Sequence, residues 1–398
     1  MIRLGALFFV TLVLVAALAT MSAATGSGQA SWSNPQPLPG KLSLLQADIA
    51  CPSARFCVGS GLDFSHAQTF SALASLGRAG KAGSGDPPSF VLSKSPSVGA
   101  SWRFDERSDT GSWENFDCAS VTLCVASKEE GAGATLYASR NPERGVHSFK
   151  QVAATENVQS GSGPVVSCPT TNFCAEIISD DEGATHLVRI SRQPTIRGSW
   201  RRRSFPPPGA EGNRDSAMAC GSRQLCIAYA TGGDTDDVAV LRNPVDLRSR
   251  WSTSDANPTA GDVGYYSREQ FTAATCVGTS CMLTTNYGAV VTAGQVESRG
   301  TKWTRTQVYG QTPTKLHYYI SDPVCFSTTL CYALAPGSNL VVSTTPFSAT
   351  PSWQTIEVPN VRQAVELSCP SSHLCFVFGE AGPRGEATTV STGHLNLG

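Results

Sequence analysis

Beyond its first two dozen residues the chain has no apolar run long enough to cross a bilayer, and no long stretch repeats its apolar residues at the 3.6-residue period of a helix. Helical bundles and membrane-spanning helices are excluded on that ground. Charge is scarce: Asp, Glu, Lys and Arg make up 15% of the 398 residues, and 30 basic residues against 31 acidic leave a net charge of −1. With neither sign in excess, no nucleic-acid or membrane-surface partner is expected. The six histidines are scattered. No nucleophile elbow, phosphate loop, dinucleotide fingerprint or metalloprotease signature occurs. What the chain has in quantity is Gly, Pro, Ser and Thr between short β-branched runs, the composition of an all-β protein.

The opening MIRLGALFFVTLVLVAALATMSAATG carries one basic residue, Arg3, then an uncharged apolar run from Leu4 to about Ala19, then small residues. This is the layout of a secretory signal peptide, residues 1–24, with Ser22 and Ala24 at the small positions before cleavage. A retained N-terminal anchor is the alternative, against which the run is marginal in length. The expected product is extracellular or cell-surface, begins near Thr25 with a flexible stretch over residues 25–30, and has no further membrane attachment. Loss of Arg3 leaves 29 basic and 31 acidic residues, a net charge of about −2.

All fourteen cysteines fall in close pairs: Cys51/Cys57, Cys118/Cys124, Cys168/Cys174, Cys220/Cys226, Cys276/Cys281, Cys325/Cys331 and Cys369/Cys375. The first members lie 67, 50, 52, 56, 49 and 44 residues apart, the length of a four-stranded propeller blade. A second mark keeps phase with the first. An aromatic residue precedes each pair by 16 to 25 residues: Trp32, Trp102, Phe149, Trp200, Trp251, Trp303 and Trp353. Before six of these stands a turn-forming stretch such as LSKSPSVGASW or RISRQPTIRGSW.

Each unit therefore reads as four strands, here lettered A to D. Strand A enters the first cysteine, B leaves the second, C ends in the turn stretch, and D follows the aromatic residue. After Cys375 the chain supplies strands B and C and then ends, while SWSNPQPL from Ser31 stands unused before the first pair. Joining the two ends in one blade hides the edges of an open sheet. A seven-bladed β-propeller of four-stranded antiparallel blades over residues 31–398 follows, closed by the N-terminal strand in the last blade.

Thiolate zinc sites space their ligands C-x2–4-C and gather four per metal, whereas six pairs here are C-x5-C with no recurring histidine. A redox pair would be C-x-x-C at a helix start, which none is. The pairs read as disulfides between facing residues of the A–B hairpins in an exported protein. No metal or cofactor is called for, apart from a weak match to calcium-holding turns in SDDEGA from Ser179 and GGDTDDV from Gly232.

The marks S-C-P-S-x-x-(L/F)-C, seen as SCPSSHLC from Ser368 and SCPTTNFC from Ser167, resemble the cysteine-paired repeats of secreted bacterial propellers. More distantly they are similar to the Asp-box (BNR) repeats shared by sialidases and photosystem II assembly-factor propellers. The resemblance covers residues 31–398 and implies the same fold. It departs from the Asp-box turn at its acidic position, which carries Asn, Ser or Thr with a Pro after it, as in SRNPERGVHSF from Ser139.

In such a blade the A–B and C–D turns share one face, and the B–C turns and D–A linkers share the other. The irregular loops are on the second face, which is the expected binding face. It holds the long segment from Gly61 to Pro88 and a concentration of tyrosine at Tyr265, Tyr266, Tyr309, Tyr318 and Tyr319, with Arg268, Glu269 and His317 among them. Counting back from each first cysteine places Gln46, Trp113, Arg214, Arg268, Glu269, Tyr318 and Arg362 near the channel mouth. The candidate ligand contacts are thus Trp113, Arg214, Tyr265, Tyr266, Arg268, Glu269, His317, Tyr318 and Arg362. The expected function is a monomeric, non-catalytic binding or scaffold module for a carbohydrate, a cell-wall component or a protein. The resemblance to sialidases, through three arginines and a Tyr/Glu pair, implies the alternative of a glycoside hydrolase acting at the channel mouth.

Overall fold

The computed structural model describes residues 29–39, 42–43, 48–63, 89–106, 112–130, 133–155, 165–179, 186–204, 215–231, 237–256, 269–297, 300–310, 319–381 and 387–396. They form seven antiparallel sheets in a ring, with no α-helix among them. Blade 4 is representative: Asp215–Ser222, Leu225–Thr231, Asp237–Arg242 and Trp251–Asp255 pair in that order from the centre outward. The first strands touch from blade to blade, and that of blade 7, Gln363–Ser371, returns to that of blade 1, Ile49–Ser53.

Alternation along the strand explains how each blade serves two neighbours. Cys226 and Ala228 face blade 3, while Leu225, Ile227 and Tyr229 face blade 5. Both faces being covered, the middle strands read as unbroken apolar runs, as in Ala289–Ala293, where every residue is buried. The protein has no single core. One apolar cluster fills each of the seven gaps between neighbouring blades.

The recurring aromatic residue of strand D packs back onto the preceding blade. Trp102 meets Phe378 of blade 7 edge to face at 5.2 Å, and the Trp303 indole donates to Ser254 of blade 4 at 3.0 Å. Its own turn is tied to it as well: Trp102 and Trp200 donate to the carbonyls of Pro96 and Pro194 at 3.2 and 3.1 Å. A serine just ahead of the aromatic closes the turn, Ser199 bonding Ser191 at 2.6 Å and the Gln193 carbonyl at 2.7 Å.

Seven disulfides link the cysteines in the pairs read from the sequence, all within A–B hairpins. Cys118 and Cys124, Cys220 and Cys226, Cys276 and Cys281, and Cys325 and Cys331 are direct cross-strand partners. The other three pairs face each other in the same way: Ser167 pairs with Ala175, so Cys168 stands opposite Cys174 one step further on, with Cα atoms 4.1 Å apart against 4.0 Å for Cys118 and Cys124. Cys51 with Cys57 follows Ala50↔Val58 and Cys369 with Cys375 follows Ser368↔Phe376, at 4.1 and 4.0 Å, and the register slips by one residue only towards the hairpin tip. Cys174 is fully buried in the cluster between blades 2 and 3, beside Val125 and Leu136, so its sulfur is a packing group closed to any ligand. The same holds for the second cysteine of every pair: Cys57, Cys124, Cys226, Cys281, Cys331 and Cys375 are likewise without exposed surface.

The ring closes as a shared blade. Gln29–Trp32 pairs with Ala387–Asn396 in the register Gln29↔Asn396 to Trp32↔Gly393, and Gln36–Pro37 continues against Val390 and Thr389. At the end of the expected flexible stretch over residues 25–30, Gln29 and Ala30 instead have backbone partners in Asn396 and Leu395. Gly393 is required there, because a Cβ would stand 2.5 Å from the Trp32 ring.

A closed series of hydrogen bonds joins the first strands. The residue before the first cysteine accepts from the next blade's cysteine N–H: Asp117 from Cys168 at 2.6 Å, Ser167 from Cys220 at 3.0 Å, and Ser368 from Cys51 at 2.9 Å. The residue three before it accepts from the next blade two before its cysteine: Asp48 from Phe116 at 2.6 Å, Asp322 from Leu367 at 3.2 Å, and Glu366 from Ile49 at 3.4 Å. Gly278 N–H to Gly221 O at 3.2 Å and the Thr272 hydroxyl to Ile320 O complete the circle.

Cys220 is 4% exposed, so Ser167→Ala strands its amide. A loss of about 1–3 kcal/mol is expected, read as a lower urea midpoint with an unchanged slope.

Candidate functional site

On the face of the B–C turns and D–A linkers, blades 5 and 6 bring together a cluster built around Glu269. This residue shortly precedes the first strand of blade 5, Phe271–Val277. Its carboxylate takes two hydrogen bonds from Arg305 of the outer strand Thr304–Gln307, Nε to Oε2 at 2.7 Å and Nη2 to Oε1 at 3.0 Å. The Thr285 hydroxyl donates to the same Oε1 at 2.7 Å and accepts the Ala289 N–H at 3.1 Å. A forked guanidinium on a carboxylate, with both partners mostly buried, is a rigid brace rather than a mobile surface pair.

Tyrosines surround this brace. Gln307 holds two loops by donating to the carbonyls of Tyr287 at 2.6 Å and Tyr309 at 2.7 Å, and Asn339 of blade 6 donates to the Tyr309 hydroxyl at 3.4 Å. The turn between them needs glycine: Gly288 has φ +75°, and a Cβ there would collide with the Tyr309 carbonyl. Tyr319 stands 58% exposed. Partial burial, with Glu269 and Tyr319 close by, raises the Tyr287 phenol above its usual range. The result is a set of aromatic side chains with polar tips on a fixed base, suited to contact.

Of the residues singled out in the sequence, Glu269, Tyr309 and Tyr319 are thus on this face, at blades 5 and 6. Arg362 is exposed ahead of the first strand of blade 7, its backbone N–H bonded to Glu380 O at 2.7 Å; Glu269 instead is held by Arg305 and Thr285. Trp113 needs correction. It is 2% exposed and packs in the gap between blades 1 and 2, with Phe90 at 5.2 Å and Lys128 Nζ 5.6 Å above its ring. The cause is a bulge between Glu114 and Asp117, where Asn115 adopts φ +52°; it reverses the alternation, so that Trp113 and Phe116 face the same cluster. Gln46, Arg214, Tyr265, Tyr266, Arg268, His317 and Tyr318 lie outside the described residues, as do residues 1–28, 64–88, 180–185 and 232–236.

Reading by linkers missed Arg305, Gln307 and Tyr287. Arg305 and Gln307 stand two and four residues after Trp303, on one side of a short strand, and that alternation was the available signal.

A second group of ionisable residues lines the inner strands. Asp48, Glu114, Asp117, Asp322 and Glu366 are half-buried, crowded among the first strands of neighbouring blades. Burial raises Asp48 and Asp322 to about 7, Asp117 to about 6, Glu114 to about 8, and Glu366 well above the ordinary carboxylate range. The charges that act on Asp48, Glu114 and Glu366 are other acids, and backbone N–H bonds to Asp48 and Glu366 pull only partly the other way. The carboxyls of Asp48, Asp117, Asp322 and Glu366 bond one blade to the next, and among the described residues no group of His, Cys, Asp and Glu is arranged to hold a metal.

No protein-family model matches the chain, and no curated protein matches it. Its likeness to solved structures lies in the fold. YCF48 from Cyanidioschyzon merolae superposes with a TM-score of 0.53 at 10% identity, covering 92% of this chain and 98% of that one. A structure of YCF48 bound to D1 peptide gives 0.51 at 9% identity, over 92% and 94%. A prolyl endopeptidase gives 0.52 at 11% identity, over 91% of this chain but 46% of the enzyme. At these identities the comparison establishes a propeller and nothing of its chemistry.

Proposed function

We propose that the protein is an exported, non-catalytic propeller that binds a protein partner through the tyrosine cluster of blades 5 and 6. The observation that carries this reading is the pairing of a rigid base, Glu269 with Arg305 and Thr285, with the exposed ring of Tyr319 and the half-buried rings of Tyr287 and Tyr309. Aromatic residues on a preorganised base lose little freedom on binding. The YCF48 structure that holds a peptide supports a polypeptide ligand for this fold. Seven disulfides support export, since such bridges persist in oxidising compartments, and the N-terminus of the secreted protein should then map near Thr25. The hydrolase alternative is disfavoured because the Glu269 carboxylate is already committed to Arg305.

A photo-crosslinking residue replacing Tyr319 tests the proposal in the producing cells. The expected result is a discrete protein adduct, lost when Tyr309→Ala is added. A glycan-array signal that depends on Tyr319, with no protein adduct, would overturn it.

A further inference from the structure

The opposite face, formed by the disulfide hairpin tips and the C–D turns, carries two neighbouring grooves. The first, about 580 Å³, is bounded by Arg140, Arg144, His147 and Lys150 of blade 2 and by Thr195 and Ile196 of blade 3. The second, about 700 Å³, has Asn172, Arg192 and Arg201 of blade 3 on one side and Arg223, Val245 and Leu247 of blade 4 on the other. The turn over residues 192–199 is the ridge between them. No carboxylate and no Phe, Tyr or Trp ring lines either groove. Arg140, Arg144 and Lys150 line the first groove and Arg192, Arg201 and Arg223 the second, so a near-neutral protein concentrates positive charge here.

The walls are fixed in advance. Arg140 Nε donates to Thr195 Oγ1 at 2.8 Å across the first groove, and the ridge is tied internally by Ser199 and Trp200. The far wall is held by Arg203, which donates from blade 3 to the carbonyls of Ser249, at 2.9 Å, and Asp246. Yet the crests are apolar and open: Ile196 is 46% and Leu247 65% exposed. Of the five large apolar side chains most exposed on the described surface, four, namely Val98, Val121, Ile196 and Leu247, stand on turns of this face.

We propose that the two grooves form a second binding surface, for an extended acidic polypeptide segment in which aliphatic side chains alternate with carboxylates. Guanidinium forks match carboxylates, and the aliphatic crests give apolar side chains an area to cover. A neutral sugar would want aromatic platforms and a cation would want acids; neither is present. Single-stranded nucleic acid would need a series of rings to stack on, and the His147 imidazole stands alone. A purely anionic polymer would leave Ile196 and Leu247 unused, and a flat bilayer would not enter the grooves.

The test is fluorescence anisotropy of the intact disulfide-bonded protein with a labelled twelve-residue peptide of repeated Asp-Glu-Leu units. Twelve-residue polyglutamate, a heparin fragment and phosphatidylglycerol vesicles are the comparison probes. The expected result is binding that weakens about tenfold between low and physiological salt and about tenfold again in Arg192→Glu/Arg223→Glu. Ile196→Ser/Leu247→Ser should weaken the peptide about fivefold and leave polyglutamate unchanged, while Tyr319→Ala has no effect. Unchanged melting temperatures confirm that these surface variants fold. Absence of peptide binding, or binding indifferent to the arginine reversals, overturns the proposal. So does equal or tighter binding of heparin or vesicles with the same dependence on these residues.

Discussion

Reduction of all seven bridges should unfold the ring. Each closes a loop of about seven residues, for which chain entropy gives about 2.4 kcal/mol; seven such contributions match or exceed the roughly 5–15 kcal/mol by which a domain is ordinarily stable. The second cysteine of every pair is fully buried, as at Cys57, Cys124, Cys174 and Cys375, so a reductant must wait for local opening. Incubation with reductant at moderate temperature should therefore abolish the cooperative thermal transition slowly, while the oxidised protein keeps it. A single pair removed by Cys118→Ser/Cys124→Ser should cost about 2 kcal/mol and leave the ring folded. A fully reduced protein that still melts cooperatively within a few degrees of the oxidised one would show that the inter-blade clusters suffice. Tryptic mapping without reduction should find only bridges local to one hairpin.

Raising the pH from 5 to 8 should destabilise the protein by several kcal/mol. The inner carboxyls of Asp48, Asp117, Asp322 and Glu114 titrate in the folded state at about 7, 6, 7 and 8, well above the ordinary values they regain on unfolding, and Glu366 is raised as well. Between those limits the folded chain binds more protons than the unfolded one, so stability falls as pH rises. Each group contributes about 1.4 kcal/mol per pH unit across its own window. The stabilisation is complete below about pH 4 for these groups and is lost as pH passes through about 6 to 8. Urea unfolding at pH 5, 6, 7 and 8 measures it. Asp322→Asn should flatten the profile with little cost at pH 8, because its φ of +46° suits asparagine, the residue that blade 2 carries at the equivalent position, Asn115 with φ +52°. Stability that rises from pH 5 to 8 would mean that these carboxylates are solvated and ionised in the fold.

The tyrosine cluster of blades 5 and 6 and the arginine grooves are on opposite faces of the ring. Partners on the two would not compete for space, which fits a scaffold that joins them. The separate variants Tyr319→Ala and Arg192→Glu/Arg223→Glu distinguish the two surfaces, since each should disable one and spare the other.

The cysteine spacing and the aromatic residues in phase with it were enough to count seven blades and to pair every cysteine, and the unpaired end strands were enough to close the ring. That information is local: a hairpin, a turn and a strand each leave their mark within a few residues. Even the stitching of the inner strands was partly written in the Ser of SCPTTNFC, since Ser167 bonds Cys220. What the blades present to one another was decided only in three dimensions. Trp113 turned inward because a bulge shifts alternation by one residue, which no spacing count detects. Glu269 found Arg305, 36 positions away, because strand pairing brings the outer strand of blade 5 back beside its own entry. The arginine grooves likewise arise from neighbouring blades, and a net charge near zero hid them. Repeats fix the frame because each unit folds by short-range contacts, whereas a binding surface is made from residues of different units, whose meeting depends on register and packing across the gaps.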